Sequence, residues 1–328
     1  MPGGQTRPPR AGLRFAFGAI LYLVGFAFLS PVASVALVAA PLGLLLAFHR
    51  PGRGETVLAA LCLGVAAWTV FGSPDGFGRI EGAWICLLTS GVVVALAVRP
   101  PSQAGLIGTG LLAIAVAAAM GVSLVAVTSF SWDELRWLAG RHFGMQARQV
   151  LEVMTRALAG TEGGPDTLET LGQAMDDVVG FVARFLPALI LIQSLAALAA
   201  SWALYRIVAK HPEGEPLPPL REFRFSDHLI WGVVVALAAL VAPGARALRP
   251  LAGNLATFFG ALYIVRGLGV VAALSTAAGI GGPVAALLSF IVTLFLLPLV
   301  VFGALALGVS DTWVDWRKWA NKQSKVES

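Results

Sequence analysis

One arginine lies within an otherwise apolar stretch of the sequence. Residues 258–271 read FFGALYIVRGLGVV, and the arginine is Arg266. A guanidinium group can bind a carboxylate or a phosphate through several hydrogen bonds at once. A charge at the centre of a membrane-spanning helix costs about 2.5–3.5 kcal/mol on insertion scales. The stretch therefore predicts an arginine that either binds an anion or reaches toward water.

The depth of Arg266 along its helix suggests which groups it meets. With a rise of about 1.5 Å per residue, Arg266 lies about 10 Å from the end of its span near Ala273. The other end, near Gly253, is about 20 Å away. If the next span returns antiparallel, Arg266 is level with Ser289 and Thr293, which are four residues apart and share a helix face.

Two interpretations of Arg266 follow. In the first, the side chain extends toward the nearer membrane surface and bonds to these hydroxyls or to loop carbonyls. In the second, it faces a cavity and meets an anion, either on a ligand or from Asp75, Glu81 or Asp133. Both interpretations place Asp311 at the opposite end of the span, too far for a salt bridge. The candidate ligand-binding residues are Arg266, Tyr263, Ser289, Thr293 and Asn254.

Small residues mark another side of the same helix. Gly253, Gly260 and Gly267 are spaced seven residues apart, which places them along one side. Glycines in such a row let a second backbone approach closely. We expect this side to pack against protein instead of lipid.

The carboxyl-terminal segment GVSDTWVDWRKWANKQ combines tryptophans with basic side chains. Its tryptophans recur every three residues, and tryptophan beside basic residues is typical of an interfacial helix. The segment predicts either a membrane anchor or a docking surface for a cytoplasmic partner. The residues concerned are Asp311, Trp313, Trp316, Arg317 and Trp319.

The sequence lacks the motifs of common enzyme classes. The histidines are scattered, with no HExxH pair, and neither GxSxG nor a P-loop occurs. Cys62 and Cys86 lie in separate apolar runs without a ligand spacing. We therefore predict a protein that is not an enzyme and that uses no cofactor and no metal. If it transports a substrate, the energy comes from a gradient or from a partner.

Composition identifies the solvent of this chain. Hydrophobic residues make up 57% and charged residues 12% of its 328 residues. Soluble proteins have about 45–50% apolar and about 25% charged residues, so this composition predicts an integral membrane protein. The basic residues lie at the ends of apolar runs, which argues against a nucleic-acid partner. The candidate spans are residues 14–30, 31–48, 56–71, 82–98, 104–130, 181–208, 229–242, 252–273 and 283–309.

The positive-inside rule orients these spans with the amino terminus in the cytoplasm. Residues 1–34 also fit a signal peptide, although a second apolar run follows at once. The run at residues 229–242 has about 14 residues, a length typical of a re-entrant segment. If it enters and returns, every later basic residue stays cytoplasmic. We predict eight full spans plus this partial one, with nine full spans as the alternative.

Residues 131–180 are amphipathic and predict a helical hairpin on the extracytoplasmic side. Apolar residues recur at intervals of three and four residues. This pattern stops at GTEGGPD and resumes afterwards. The first arm is rich in arginine and the second in acidic residues, which predicts either a self-paired hairpin on the membrane or a lid over an opening. The predicted chain is an all-α polytopic bundle divided into residues 1–130, the hairpin 131–180, a second bundle 181–309 and a cytoplasmic interfacial tail 310–328.

Several motifs resemble the YybS-like family of uncharacterised bacterial multi-pass membrane proteins. They are LPALILIQSLAALAASWALYRIV, REFRFSDHLIWG, GNLATFFGALYIVRGLGVV and LGVSDTWVDWRKW, with APLGLLLAFHRPGRGE near the amino terminus. The resemblance implies a fold similar to the substrate-binding subunits of energy-coupling-factor transporters and to the rod-shape scaffold subunit of the cell-wall elongation machinery. It also implies a bacterial cytoplasmic (inner) membrane location.

Two functions are consistent with these observations. The first is a transport or small-ligand-binding membrane subunit, whose partner would be a cytoplasmic ATPase module. The second is a non-enzymatic scaffold for envelope growth or division, whose partners would be envelope-assembly proteins. A solvent-free pocket lined by polar side chains near the extracytoplasmic side favours the first, and a packed interior with an exposed apolar groove favours the second. In both cases the lipid bilayer is a partner.

Overall fold

A computed structural model of the chain describes residues 31–48, 52–72, 76–98, 106–128, 130–158, 164–214, 217–277 and 296–318. This part of the chain is helical and contains no strand, which confirms the all-α prediction. Five helices in it are long and apolar enough to cross a membrane, and three apolar helices are shorter. The predicted span 14–30 and the first part of the span 283–309 lie outside the described residues.

Contacts divide the chain into two compact units, Met1–Leu217 and Pro218–Ser328. The helices of the first unit are α1 Pro31–Phe48, α2 Arg53–Gly72, α3 Gly76–Val98, α4 Leu106–Val127, α5 Trp132–Leu158 and α6 Gly164–Val208. Those of the second unit are α7 Ile230–Val241, α8 Arg249–Ala277 and α9 Leu297–Ser310. Single 3-10 turns at Leu220–Glu222, Asp227–Leu229 and Arg246–Leu248 complete the second unit.

The core of the first unit surrounds α1, which packs against α2, α3 and α6. Two polar contacts fix α6 on it. The Gln193 side chain donates to the Ser34 hydroxyl at 2.7 Å, and the Ser201 hydroxyl donates to the Val38 carbonyl at 2.8 Å. Buried polar groups need such partners because an unpaired one loses its hydrogen bonds to water. The contacts therefore fix the register of the two helices.

The predicted hairpin consists of α5 and the first part of α6. α5 begins at a capping box in which Ser131 and Glu134 bond to each other's backbone amides. A Cβ at Gly140 would lie 4.0 Å from the Cβ of Ala183, so the two helices pack antiparallel across the short connection at 159–163. α6 runs through residue 180 without a break. The hairpin and the following span thus share one helix of 45 residues, and the division into four domains and the extracytoplasmic side stay predictions.

In the second unit α8 is the central helix. α7 packs against its first half, where a Cβ at Gly232 would lie 2.6 Å from the Phe259 ring. α9 packs against its second half, where a Cβ at Gly267 would lie 1.8 Å from the Ala304 carbonyl oxygen. Glycine at position 267 is thus required by the close crossing of the two backbones.

Residues 229–242 contain an apolar helix too short for a full span, which agrees with the predicted partial segment, while its re-entrant path stays a prediction. This segment is a single helix of 12 residues, and the chain reverses only afterwards, at the Pro243–Gly244 turn. No residue inside α7 breaks the helix, because its glycine, Gly232, lies in the first turn. Arg246 and Arg249 therefore lie one helix length, about 18 Å, from Asp227 along α7.

Candidate functional site

Arg266 lies at the level where two shorter helices meet the middle of α8. It is residue 18 of the 29 in that helix. Asp227 precedes α7, and Asp311 directly follows the end of α9. Long side chains on a helix point back toward its amino terminus, so the guanidinium of Arg266 extends toward these two segments. One arginine can thus contact the beginning of one helix and the end of another.

Every nitrogen of the Arg266 guanidinium has a partner. Nε donates to Asp311 Oδ2 at 2.9 Å, Nη1 donates to Asp227 Oδ1 at 2.8 Å, and Nη2 donates to the Asp311 carbonyl at 3.0 Å. The residue is 3% exposed. The Phe225 ring covers it, with 5.3 Å between the guanidinium carbon and the ring centroid, a cation–π distance. The charge is therefore compensated by protein groups.

The expected separation of Arg266 from Asp311 is wrong, since the two side chains form a buried ion pair. The cause is the register of the last helix. α9 begins only at Leu297, after a non-helical Leu296, and places Ala304 and Gly308 opposite Gly267. The sequence prediction of a continuous span from residue 283 places residues about four helical turns before Ala304 beside this part of α8. The expected partners Ser289, Thr293 and Asp75 lie outside the described residues, and Glu81 and Asp133 belong to the first unit.

A second buried arginine, Arg317, extends this network. Its Nη1 donates to the Phe223 carbonyl at 3.0 Å and its Nη2 donates to the Arg266 carbonyl at 3.2 Å. Its Nη2 also lies 3.8 Å from Asp311 Oδ2. Burial lowers the pKa of Arg317, but a guanidinium remains charged at neutral pH. Arg317 therefore fastens the carboxyl-terminal segment to both α8 and the loop before α7.

An outer layer of charges joins the same two segments. Arg224, in the loop, forms an ion pair with Asp315, and the Lys318 ammonium lies 3.0 Å from Asp315 Oδ2. Partial burial raises the pKa of Asp315, but hydrogen bonds from Arg224 and Lys318 outweigh it and lower this pKa to about 2. The carboxylate is thus ionised at any physiological pH.

The tail residues predicted to contact the membrane or a partner divide into two groups. Asp311 and Arg317 are buried within the second unit, and their predicted role as anchor or docking residues stays a prediction. Trp313 is 70% exposed. Trp316 is half-buried and donates to the Ser310 hydroxyl at 3.0 Å, and Trp319 lies outside the described residues. Trp313 is the tryptophan of this group whose position fits a surface contact.

Of the other predicted site residues, Tyr263 is near Arg266 and Asn254 is not. Tyr263 is fully buried and packs edge-on against Phe225, with ring centroids 5.1 Å apart. Asn254 lies three turns earlier on α8 and donates to the Pro250 carbonyl at 2.9 Å.

Of the predicted packing glycines, Gly267 contacts α9, whereas a Cβ at Gly260 would meet nothing within 4 Å. Gly253 is half-buried. Of the three glycines in the predicted row, Gly267 therefore makes the close helix contact.

The sequence interpretation missed Asp227 and the aromatic residues beside it. The signal was present in the loop REFRFSD, which alternates charges with phenylalanines, and in the complementary DTWVDWRK of the tail. Both segments are basic, so the positive-inside rule predicts them on the same side of the membrane. Their direct contacts confirm that they lie together, while the side itself stays a prediction.

The charged and polar groups of the cluster around Arg266 bind and position neighbouring segments. No group of three metal-ligating side chains occurs in the described part of the chain.

The first unit contains a small cavity of ≈ 30 Å³ whose lining includes Pro41, Thr109 and Trp202. Its lining is almost entirely apolar, and its volume suffices for only a few atoms.

A family model described as "Predicted membrane protein (DUF2232)" matches residues 16–312 of the chain. No curated protein and no solved structure matches the chain.

Proposed function

This chain belongs to the DUF2232 family of predicted membrane proteins, and we propose that it acts as a non-enzymatic scaffold in the membrane. It would dock a partner protein through the loop–tail surface, which we define as residues 218–229 and 311–318. Envelope-assembly proteins of the bacterial cytoplasmic membrane are the proposed partners, with the amino terminus and this surface in the cytoplasm.

The observation that carries this proposal is that the protein itself compensates the charge of Arg266. Each of its three nitrogens donates to Asp227 or Asp311, so the arginine binds carboxylates of its own chain. The same contacts hold two segments of irregular backbone in one arrangement. A loop that is fixed in this way loses less entropy when a partner binds to it.

The exposed part of the loop–tail surface has the composition of an interface. Trp313, Val314 and Leu220 are 70%, 50% and 48% exposed. The side chains of Arg221 and Lys318, 54% and 80% exposed, lie in the same two segments. Tryptophan and arginine are enriched where proteins bind each other, and Trp313 and Arg221 supply both on this surface.

A transport or small-ligand-binding subunit is the second proposal, and it has less support. It predicts a pocket lined by polar side chains that includes Arg266. The small apolar cavity of the first unit lies elsewhere in the chain and offers one threonine as its polar side chain. The resemblances to the YybS-like family and to energy-coupling-factor subunits stay predictions.

Photocross-linking in native membranes tests the docking surface. A benzophenone amino acid would replace Trp313 in one variant and Phe302 in a matched control. Both residues are 70% exposed, but Phe302 lies on α9, outside the loop–tail surface. The scaffold proposal predicts a discrete protein adduct at position 313 that is missing at position 302. Lipid adducts alone at both positions would contradict it.

The identity of the adduct separates the two proposals. An envelope-assembly protein supports the scaffold, whereas an ATPase module supports the transport subunit. The Trp313→Ala variant should lose the phenotype that full-length protein restores to a deletion strain, while Phe302→Ala should retain it. Equal complementation by both variants would argue against any role of this surface.

A further inference from the structure

Four buried polar atoms in the described part of the chain have no hydrogen-bond partner. They are Tyr263 OH, Asp311 Oδ1, Thr312 Oγ1 and Arg317 Nε. All belong to the cluster around Arg266. Tyr263, Asp311 and Arg317 are more than nine-tenths buried. Native proteins leave few buried polar groups unpaired, so four in one place indicate a missing binding partner.

The contacts within the cluster also lack several direct hydrogen bonds. Arg317 Nη2 is 3.8 Å from Asp311 Oδ2, which is longer than a hydrogen bond. The Tyr263 and Thr312 hydroxyls are neighbours, yet neither forms a hydrogen bond of normal geometry. Polar groups separated in this way are commonly connected by water.

Charges of both signs surround these atoms and favour a neutral molecule over an ion. The buried Asp311 carboxylate would repel an anion, and the two buried guanidinium groups would repel a cation. Among the four unpaired atoms, Asp311 Oδ1 only accepts, Arg317 Nε only donates, and the hydroxyls do both. The complementary ligand is small, neutral and able to donate and accept at once.

We infer that these four groups form a buried pocket that binds water, and that water completes the connection between α8 and the carboxyl-terminal segment. The site goes beyond the docking function proposed above, because it lies inside the second unit. A buried water with two to four polar partners is a stable part of a protein structure.

The variant Tyr263→Phe tests this inference, because it removes one hydroxyl and keeps the ring. If water satisfies the hydroxyl, the variant loses a hydrogen bond and its unfolding equilibrium constant rises about fivefold. Tyr205→Phe in the first unit is the matched control. Tyr205 is also fully buried, and its hydroxyl accepts from the Glu213 amide at 3.1 Å. The two variants should lose similar stability, and Thr312→Val should also lose stability.

Two results would overturn the inference. If Tyr263→Phe and Thr312→Val leave the unfolding equilibrium unchanged or shift it toward the folded state, the pocket is dry. If the identity of the salt at constant ionic strength shifts the unfolding midpoint of the unmodified protein but not that of Tyr263→Phe, an ion occupies the site.

Water-edited solid-state NMR provides a direct readout. Polarisation from water should reach Arg317 Nε faster than Arg266 Nε, which is bonded to Asp311. Equal or slower transfer to Arg317 would count against a bound water.

Discussion

Replacing Arg266 by leucine should strongly destabilise the second unit. The change leaves the Asp311 carboxylate, whose side chain is fully buried, without its main partner. Removing one member of a buried pair costs about 3–5 kcal/mol, because the remaining charge stays out of water. The second partner, Asp227, has a side chain that is 62% exposed. Its ion pair contributes at most about 1 kcal/mol, and Asp227→Asn should cost no more than that.

The measurement is denaturant unfolding in mild detergent followed by tryptophan fluorescence. Trp313 and Trp316 lie in the segment that Arg266 fastens, so their emission should report its release. The double variant Arg266→Leu with Asp311→Leu is the control. Removing both charges should recover more than half of the loss, since no carboxylate then remains buried alone.

Two outcomes would refute this reasoning. A loss below about 1 kcal/mol for Arg266→Leu would mean that the side chain reaches water and is not buried in an ion pair. A double variant that is as unstable as the single one would mean that the lost contacts are packing contacts and not charges. The first result would restore the interpretation in which Arg266 extends toward the membrane surface.

Three further predictions concern other contacts. Gly267→Ala should separate α8 from α9 and destabilise the protein, while Gly260→Ala, which meets open space, should be neutral or stabilising by up to about 1 kcal/mol in thermal unfolding. Cysteines that replace Arg148 and Asp176 should cross-link under oxidation, because the contact between Gly140 and Ala183 sets an antiparallel register that places the two positions at the same level. The absence of a cross-link at these or adjacent positions would contradict that register. The pKa of Asp315 is lowered from 3.8 to about 2, so the contribution of its carboxylate to stability is complete above about pH 4 and is lost as the pH falls toward 2. The difference in unfolding free energy between the native protein and Asp315→Asn should therefore shrink over this range. A constant difference would argue against the lowered pKa.

Most helices of this fold can be predicted from the sequence, because the lengths of the apolar runs and the polar breaks between them determine where helices begin and end. Seven of the predicted apolar spans correspond to α1, α2, α3, α4, α6, α7 and α8, and GTEGGPD separates α5 from α6. The path of residues 229–242 was not predictable in the same way. A run of this length can cross part of the membrane or enter and return, and its length alone does not decide between the two paths.

The partners of Arg266 were predictable in kind but not in identity. The cost of a buried charge required compensation, and an anionic partner was one of two expectations. The choice among carboxylates depended on the register of α9, which a uniform apolar run cannot specify. A glycine spacing did indicate close helix packing, and Gly267 meets Ala304 and Gly308 there. Sequence spacing gives the face of one helix but not the level of its neighbour.

The position of Arg266 explains how polar backbone can lie beside the middle of a long apolar helix. α7 and α9 have 12 and 14 residues, about 18 and 21 Å, and neither covers a hydrocarbon layer of about 30 Å. α7 begins and α9 ends at the level of Arg266, so the segment before α7 and the segment after α9 pass alongside α8. Irregular backbone at such a place needs protein partners for its charges and carbonyls. Arg266 binds Asp227 and Asp311, and Arg317 binds the carbonyls of Phe223 and Arg266. The two arginines therefore stabilise the arrangement of segments on which the proposed docking surface depends.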